Sequence, residues 1–255
     1  MLKISNARWL TGLCLASLLN IALGQNSAPR YTLRLPAEPA PALPLIPFSG
    51  TLQFSGSATA VIQYQGVTIV SEPDGALSPP ADLVLLSQLP KERLAGVLLL
   101  KRDTPIVSTV KVAQQLRELG FQKLFPLKTW DAIHVSKGAA RLRLTAMPGR
   151  AAPGGPDSIS SMLDFGTQQT GTYRIFIIGD AAEHGDIEQI PQRFPGADLA
   201  LLHLNGARLL GVVTSAGQLR ISYLDPGQRY EFSTGGNLLP AKGTIRRKPS
   251  ARPAR

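Results

Sequence analysis

Few side chains in this sequence could bind a metal ion or transfer protons near neutral pH. There are three histidines, His134, His184 and His203. His184 follows Asp180 by four residues, a spacing that places both side chains on one face at the start of a helix. Imidazole and carboxylate groups are zinc ligands, so Asp180 and His184 are candidate metal ligands. No third converging ligand is evident, and a surface or capping histidine is the alternative for His184.

The other two histidines and the serines give weaker signals. His203 ends the apolar run LALLH and is interpreted as a buried, hydrogen-bonded core residue. His134 alternates with apolar neighbours in WDAIHVSKG, which predicts a strand residue that faces solvent. Ser57, Ser71 and Ser87 lie near predicted strand ends, but the sequence has no G-x-S-x-G turn, so a serine hydrolase is not indicated.

The stretch DLVLLSQLPKERL, residues 82–94, is a place where chemistry could be expected. An apolar run over 83–86 predicts a buried strand, and it stops abruptly at Ser87. Enzymes often place metal ligands at such strand ends. The residues that follow are Gln88, Pro90, Glu92 and Arg93, with no histidine among them.

The elements that must position these residues change type along the chain. The runs TLQFSG, ATAVIQYQG and VTIVSEP predict strands, with a hairpin at Gly66. ADLVLLS and TPIVSTV predict strands as well, whereas KERLAGVLLLKR and VAQQLRELG predict helices, the second ending at Gly120. Strands begin again at AARLRLTAMPG, SISSMLDFG and TYRIFIIGD, HGDIEQIPQRF predicts a later helix, and ADLALLHL predicts another buried strand. The last segments, ARLLGVVT, GQLRISYLD and QRYEFST, predict edge strands or hairpins. The pattern predicts an α/β (α+β) fold with helices outside packed sheets.

In order, the blocks LQFSGSATAVIQYQGVTIVSEP, DLVLLSQLPKERL, TPIVSTVKVAQQLRELGF, RLRLTAMPGRAAPGG, RIFIIGDAAEH and DLALLHLNGARLLGVVT resemble the metallo-β-lactamase fold superfamily. The branch in question is similar to sugar-phosphate lactonases and N-acyl-phosphatidylethanolamine phospholipase D. The resemblance covers residues 49–214 and lies in block order and spacing more than in any single motif. It implies an αββα four-layer sandwich with a metal site at one edge of the two sheets.

The same resemblance implies a metal site that has lost most of its ligands. The family signature His-x-His-x-Asp-His falls on Gln88, Pro90, Glu92 and Arg93, none of which is the family residue. Ala151 stands where a later histidine is usual, and no histidine follows His203. Glu72 occupies the place of an early acidic residue, and Asp180 that of the bridging aspartate. Zinc is the family's metal. Because most of its ligands are missing here, we expect no resident metal cofactor in this chain.

A retained strand-end carboxylate would be costly to bury without a metal unless another cation replaced the metal's charge. Arg93, Lys91 and Arg150 are the candidate cations, and Asp180 is the candidate acid. This is a hypothesis of charge replacement in the old metal cleft. Its alternative is that Asp180 caps a helix or faces water.

The N-terminus predicts a targeting segment. Lys3 and Arg8 precede the apolar run WLTGLCLASLLNIALG, which predicts a signal peptide over residues 1–24 and a periplasmic or secreted protein. An uncleaved N-terminal membrane anchor is the alternative. Residues 25–47 are rich in proline and predict an extended linker, so that the domain would cover residues 48–241.

The C-terminus carries much of the positive charge. The formal net charge is +10, and residues 242–255 contribute six Lys or Arg and no acid. Such a stretch predicts a disordered basic tail, with binding to an anionic lipid or polymer as the sharper alternative. Aromatic residues are not interleaved with these charges, so no specific nucleic-acid binding is expected.

Three functional classes follow from these observations. The preferred one is an exported metallo-β-lactamase-fold protein without its zinc ligands, a non-catalytic binding or structural module. The second is a metal-dependent hydrolase of a lactone or phosphodiester, with an atypical site around Asp180, His184 and Glu92. The third is an envelope interaction protein whose basic tail binds an anionic partner.

Overall fold

Aliphatic and β-branched runs form strands along most of the chain. The computed structural model describes residues 28–37, 49–55, 59–75, 80–149, 158–167, 171–178, 196–204, 208–213, 220–225, 227–233 and 237–240. The strands within these ranges are β1 (Tyr31–Arg34), β2 (Ser49–Ser55), β3 (Thr59–Tyr64), β4 (Val67–Ser71), β5 (Leu83–Leu86), β6 (Ile106–Ser108), β7 (Leu124–Pro126), β8 (Ala132–Lys137), β9 (Ala140–Pro148), β10 (Ile159–Thr167), β11 (Gly171–Ile177), β12 (Leu199–Leu204), β13 (Arg208–Val213), β14 (Arg220–Leu224), β15 (Arg229–Ser233) and β16 (Asn237–Pro240).

Two helices are described, α1 (Lys91–Leu98) and α2 (Val110–Glu118). Thr109 caps α2, because its side chain accepts a hydrogen bond from the amide of Val112. Gly120 follows α2 with a φ of 87°, which confirms the predicted stop. Within the described part of the chain, no helix is both long enough and apolar enough to cross a membrane.

The first sheet has the order β16-β15-β2-β3-β4-β5-β6-β7. Its pairs are antiparallel from β16 to β4 and parallel from β4 to β7. The predicted hairpin between β3 and β4 is confirmed, with Gly66 at a φ of 78° in the turn. Because β4 to β7 run in parallel, their carboxyl ends meet at one edge of the sheet.

The second sheet has the order β1-β8-β9-β10-β11-β12-β13-β14. It is antiparallel from β8 to β11 and from β12 to β14, with parallel pairs at β1–β8 and β11–β12. Both sheets are therefore mixed, and their large apolar side chains are buried against each other. In this core Tyr64 lies 4.8 Å from Phe165, and Tyr173 lies 5.0 Å from Phe232, between ring centroids.

Helices α1 and α2 pack on the outer face of the first sheet. Val97, Val112 and Leu116 join Val84 and Ile106 from the sheet in a separate buried cluster. Each buried aliphatic side chain of this kind stabilises the fold by about 1.5–3 kcal/mol relative to exposure. The α+β sandwich that we expected is thus confirmed, with two sheets and one helical layer in the described residues. The helix predicted over HGDIEQIPQRF lies outside them.

The two ends of the domain differ from the sequence interpretation. Tyr31–Arg34, expected within a linker, forms edge strand β1 and pairs in parallel with β8. The folded part therefore begins before the predicted boundary at residue 48. Near the other end, β14 is the last strand of the second sheet, and β15 crosses to the first sheet, where it lies between β2 and β16. The tail predicted over 242–255 lies outside the described residues.

The two sheets are also joined by an ion pair at the edge opposite the carboxyl ends of β4 to β7. Lys137 Nζ on the second sheet lies 2.8 Å from both carboxylate oxygens of Asp82, just before β5. The same ammonium donates to the carbonyl of Gly66 at 2.7 Å. Asp82 also accepts from the amide of Thr68 at 2.8 Å. This network fixes the β3–β4 hairpin and the start of β5 to the second sheet.

His134 lies on the outer face of the second sheet and is exposed, as predicted. Partial burial and then the charge of Arg143, its cross-strand neighbour, lower the pKa of His134. A histidine whose folded pKa is depressed stabilises the fold above its ordinary pKa. That contribution is lost as pH falls through the folded pKa.

We expect NMR titration of the imidazole of His134 to give a pKa below the ordinary value of 6.5. Arg143→Gln should raise it only part of the way, because burial is the larger cause. Lys111→Gln, on α2 at the opposite side of the sandwich, is the matched control and should leave it unchanged. A pKa at or above the ordinary value in the unmodified protein would contradict this assignment.

Candidate functional site

The carboxyl ends of β4, β5 and β6 bring buried polar side chains together. Glu72 follows β4 and is 4% exposed, Ser87 follows β5 and is 8% exposed, and Ser108 at the end of β6 is fully buried. This is the edge at which the family resemblance places a metal site. Buried polar groups need partners here, because an unpaired one costs about 1–3 kcal/mol or more.

Glu72 is the centre of this strand-end cluster. Its amide donates to the carbonyl of Leu85 at 2.9 Å, which continues the pairing of β4 with β5. Its carboxylate Oε1 accepts from the amide of Ser87 at 2.6 Å. Its other oxygen, Oε2, lies 2.6 Å from Nη1 of Arg93. One carboxylate therefore joins two strand ends to helix α1.

The backbone of Glu72 is held in an uncommon conformation. Its φ is 53°, in the left-handed region that residues other than glycine seldom adopt. Thr59 on β3 fixes the segment that follows: its hydroxyl donates to the carbonyl of Glu72 at 2.9 Å and accepts from the amide of Asp74 at 3.0 Å. The hydroxyl oxygen also lies 2.7 Å from Oδ1 of Asp74. These contacts turn the Glu72 side chain toward α1.

Helix α1 presents Arg93 to that carboxylate. The helix begins after Pro90, whose side chain offers no cap. Gly96, one turn after Arg93, lies against the segment after β4, since a Cβ there would come within 2.6 Å of the carbonyl carbon of Asp74. Positions three apart share a helix face, so the close approach at Gly96 also brings the Arg93 guanidinium to Glu72. Any side chain at Gly96 would push the helix away.

The Glu72–Arg93 ion pair is largely withdrawn from solvent. The two side chains are 6% and 17% exposed. The described surface pair of Lys123 and Asp103 is different, with nitrogen and oxygen 3.8 Å apart and side chains 53% and 64% exposed. Removing one partner of a buried pair leaves an uncompensated charge and costs about 3–5 kcal/mol. The strand-end pair is therefore expected to stabilise the fold more than an exposed ion pair does.

The structure describes only part of the set of residues singled out in the sequence. Gln88 and Pro90 are half-buried in the connection from β5 to α1, and Lys91 is exposed at the helix start. Glu92 lies in α1, and its side chain is not part of what the structure describes. The remaining positions, Arg150, Ala151, Asp180 and His184, lie outside the described residues, so the expectations attached to them stay predictions. Arg93 has Glu72 as its partner, a pairing that the sequence interpretation did not make.

The described residues at this edge do not fit a divalent cation. Gln88 is a poor zinc ligand, Pro90 has no ligand atom in its side chain, and Arg93 carries a permanent positive charge that repels a metal ion. Glu72, an oxygen donor, already binds Arg93 and the amide of Ser87. In the part of the chain that is described, no three His, Cys, Asp or Glu side chains group in a way that could hold a metal.

Sequence reasoning found two members of this cluster, Glu72 and Arg93, but not their pairing. Glu72 and Arg93 stood at two family ligand positions, which is a signal that they lie at the same edge. Thr59, Ser87 and Gly96 were not identified as parts of the site. Gly96 could have been found as a glycine inside a predicted helix, where it costs stability unless close packing requires it.

Comparisons with known proteins found solved structures of low sequence identity. No family model and no curated protein matches the chain. Similar solved structures include an isothiocyanate hydrolase from Delia radicum gut bacteria, 18% identical, covering 60% of this chain and 70% of that one with a TM-score of 0.49. A metallo hydrolase from Ignicoccus hospitalis is 16% identical over 60% of this chain and 70% of that one, with a TM-score of 0.45.

A metallo-β-lactamase from Novosphingobium pentaromativorans is also similar, at 10% identity over 60% of this chain and 75% of that one, with a TM-score of 0.29. Identities and TM-scores this low carry no conclusion about activity. The class of the protein rests on its own two mixed sheets and outer helices. These form an α+β sandwich of the kind that the resemblance to the metallo-β-lactamase fold implies.

Arg93→Met should lower the free energy of unfolding by about 3–5 kcal/mol, because it leaves the Glu72 carboxylate buried without its cation. Adding Glu72→Gln should recover most of this loss, since a neutral amide can still accept from the amide of Ser87. Urea unfolding at neutral pH measures both. The matched surface control, Lys123→Met, should cost less than about 1 kcal/mol. An Arg93→Met variant as stable as the control would show that the ion pair does not constrain the fold.

Proposed function

We propose that this chain is an exported, non-catalytic module of the metallo-β-lactamase fold, in which an internal ion pair takes the electrostatic place of a metal centre. The single observation that supports this most is the 2.6 Å contact between Arg93 and Glu72 at the strand ends. Arg93 stands at the last position of the family's histidine-rich signature. Glu72 stands at the position of an early acidic residue.

The chemistry of a guanidinium supports the proposal. A metal centre gathers carboxylates by its positive charge, and an arginine can gather one by the same electrostatics. Arginine cannot deprotonate near neutral pH, so it cannot make way for a metal ion by losing its charge. It also cannot activate a water molecule as a bound zinc does. The cleft is then held together by a cation with no hydrolytic chemistry of its own.

A module of this kind would act by binding. Its buried sandwich supplies a rigid scaffold, and its basic segment 242–255 supplies positive charge for an anionic lipid or polymer. A rigid scaffold and a basic binding segment both suit a protein of the cell envelope. The signal peptide proposed over 1–24 would deliver it there.

If the leader is cleaved, protein isolated from the cell envelope should begin at Gln25, because the small residues that end the run ALG suit a signal peptidase. N-terminal sequencing of the native protein measures this. Retention of Met1 in a membrane fraction would favour an uncleaved anchor. Recovery of the intact chain from the soluble cytoplasmic fraction would overturn export.

Purified protein should contain far less than one equivalent of Zn, Mn or Fe, because the described strand-end residues do not fit a divalent cation. Elemental analysis by mass spectrometry after dialysis against each metal measures this. Exposed Asp103→Ala is the matched control for removal of a carboxylate, and it should leave the metal content unchanged.

A high metal content would indicate a different function for this protein. Near-stoichiometric metal that is lost on Asp180→Ala or His184→Ala, but kept in Asp103→Ala, would overturn the non-catalytic proposal. It would favour a metal-dependent hydrolase of a lactone or phosphodiester with an atypical site that includes Asp180, His184 and Glu92.

A further inference from the structure

The outer face of β1, β8 and β9 carries a cluster of basic side chains. The strand register aligns Arg34 with Ser136 and Ser136 with Arg141. In the next outward-facing row, His134 aligns with Arg143. Neighbouring strands are about 5 Å apart, and alternate residues along a strand are about 7 Å apart. Arg34, Arg141 and Arg143 therefore lie within one small area, named here the basic face.

The charge of the basic face is not balanced by acids on its own strands. None of the segments YTLR, AIHVSK and ARLRLTAMP, which form β1, β8 and β9, contains Asp or Glu. Asp164 on β10 lies directly across from Arg143, and its charge acts on that guanidinium as well as pairing with Arg174. The exposed charge of the basic face therefore lies on Arg34 and Arg141. Burial and then the charge of Arg143 lower the pKa of His134, which favours the neutral imidazole.

The guanidinium groups of the basic face are accessible to different degrees. Arg34 and Arg141 are exposed, and Arg143 is half-buried between them and Asp164. Nη1 of Arg141 donates to the carbonyls of Gly138 and Ala140 at 2.6 and 2.8 Å, which fixes that side chain against its own turn. A fixed guanidinium loses less conformational entropy when it binds an anion.

We propose that the basic face docks on the surface of an anionic lipid bilayer. The arginines lie together on the outer face of a sheet, and arginine forms bidentate hydrogen bonds with phosphate groups. The face carries no aromatic side chain on which a nucleic-acid base could stack, which disfavours a single-stranded nucleic acid as the partner. This surface shares no residue with the strand-end cluster or with segment 242–255, and it does not depend on the proposed function.

The position of β1 in the sequence also favours a bilayer. The apolar N-terminal run ends at Gly24, and β1 begins at Tyr31. The six residues between them span at most about 20 Å when extended. Where the leader is retained as an anchor, the alternative to the cleavage proposed above, it would hold β1, and with it the basic face, close to the lipid headgroups. After cleavage, the charge of the basic face alone carries the docking.

Binding of full-length protein to vesicles tests the proposal. The quantity is the partition coefficient for vesicles of phosphatidylglycerol and phosphatidylcholine divided by that for phosphatidylcholine alone, so that insertion of the apolar N-terminal run cancels. Each basic residue near an anionic surface contributes about fivefold, so Arg34→Gln with Arg141→Gln should lower this ratio by about 25-fold. The matched control is Lys111→Gln with Arg117→Gln, two exposed residues on α2 at the opposite side of the sandwich, and it should change the ratio by about twofold or less.

Three outcomes would overturn the proposal. The first is an unchanged ratio in the Arg34 and Arg141 variant, and the second is an equal loss in the α2 control. The third is unchanged vesicle binding together with weaker retention of the same variant on immobilised dextran sulfate, which would assign the face to an acidic polymer. Removal of residues 242–255 should lower the ratio independently, and the effect of the Arg34 and Arg141 changes should persist in that shortened chain.

Discussion

The buried contact between Glu72 and Arg93 is the constraint on which the candidate site depends. It joins the end of β4 to α1, while the second carboxylate oxygen accepts from the amide that follows β5. The pair imposes two further requirements. Glu72 must adopt a positive φ, and Gly96 must lack a side chain so that the helix can come close. A strained residue and a helical glycine both lower stability on their own, and the buried ion pair is the interaction that accounts for their presence together.

The opposite edge of the sandwich uses a second ion pair for a different purpose. Lys137 and Asp82 join the two sheets, whereas Glu72 and Arg93 act within the first sheet and its helix. Both acids also accept a backbone amide, from Thr68 and Ser87 respectively. This explains how β4 and β5, short parallel strands of five and four residues, keep their alignment at both ends. Hydrogen bonds to charged groups are worth more than those between neutral groups, so each carboxylate fixes a loop as well as a charge.

The two surfaces considered for function differ in their electrostatics. At the strand-end edge the positive charge of Arg93 is paired with Glu72 inside the protein. On the outer face of β1, β8 and β9 the arginines Arg34 and Arg141 are exposed and have no acid on their own strands. The positive charge of these two arginines is therefore accessible to solvent and to a partner. A basic outer surface of this kind is suited to binding an anion.

The sequence by itself determined most of the elements and the class of fold. Alternating and continuous apolar runs predicted β2 to β6, β9 to β13 and both described helices, because the periodicity of burial is local information. The resemblance to the metallo-β-lactamase fold, and not periodicity, placed Glu72 and Arg93 at one edge of the sheets. It did not place β1, which looks like part of a proline-rich linker, or β15, which crosses between sheets. Only the tertiary structure decided these, because an edge strand is stabilised by pairing with a distant neighbour. The ion pair was decided in the same way: it depends on a positive φ at Glu72 and on the close approach of Gly96, neither of which a linear pattern records.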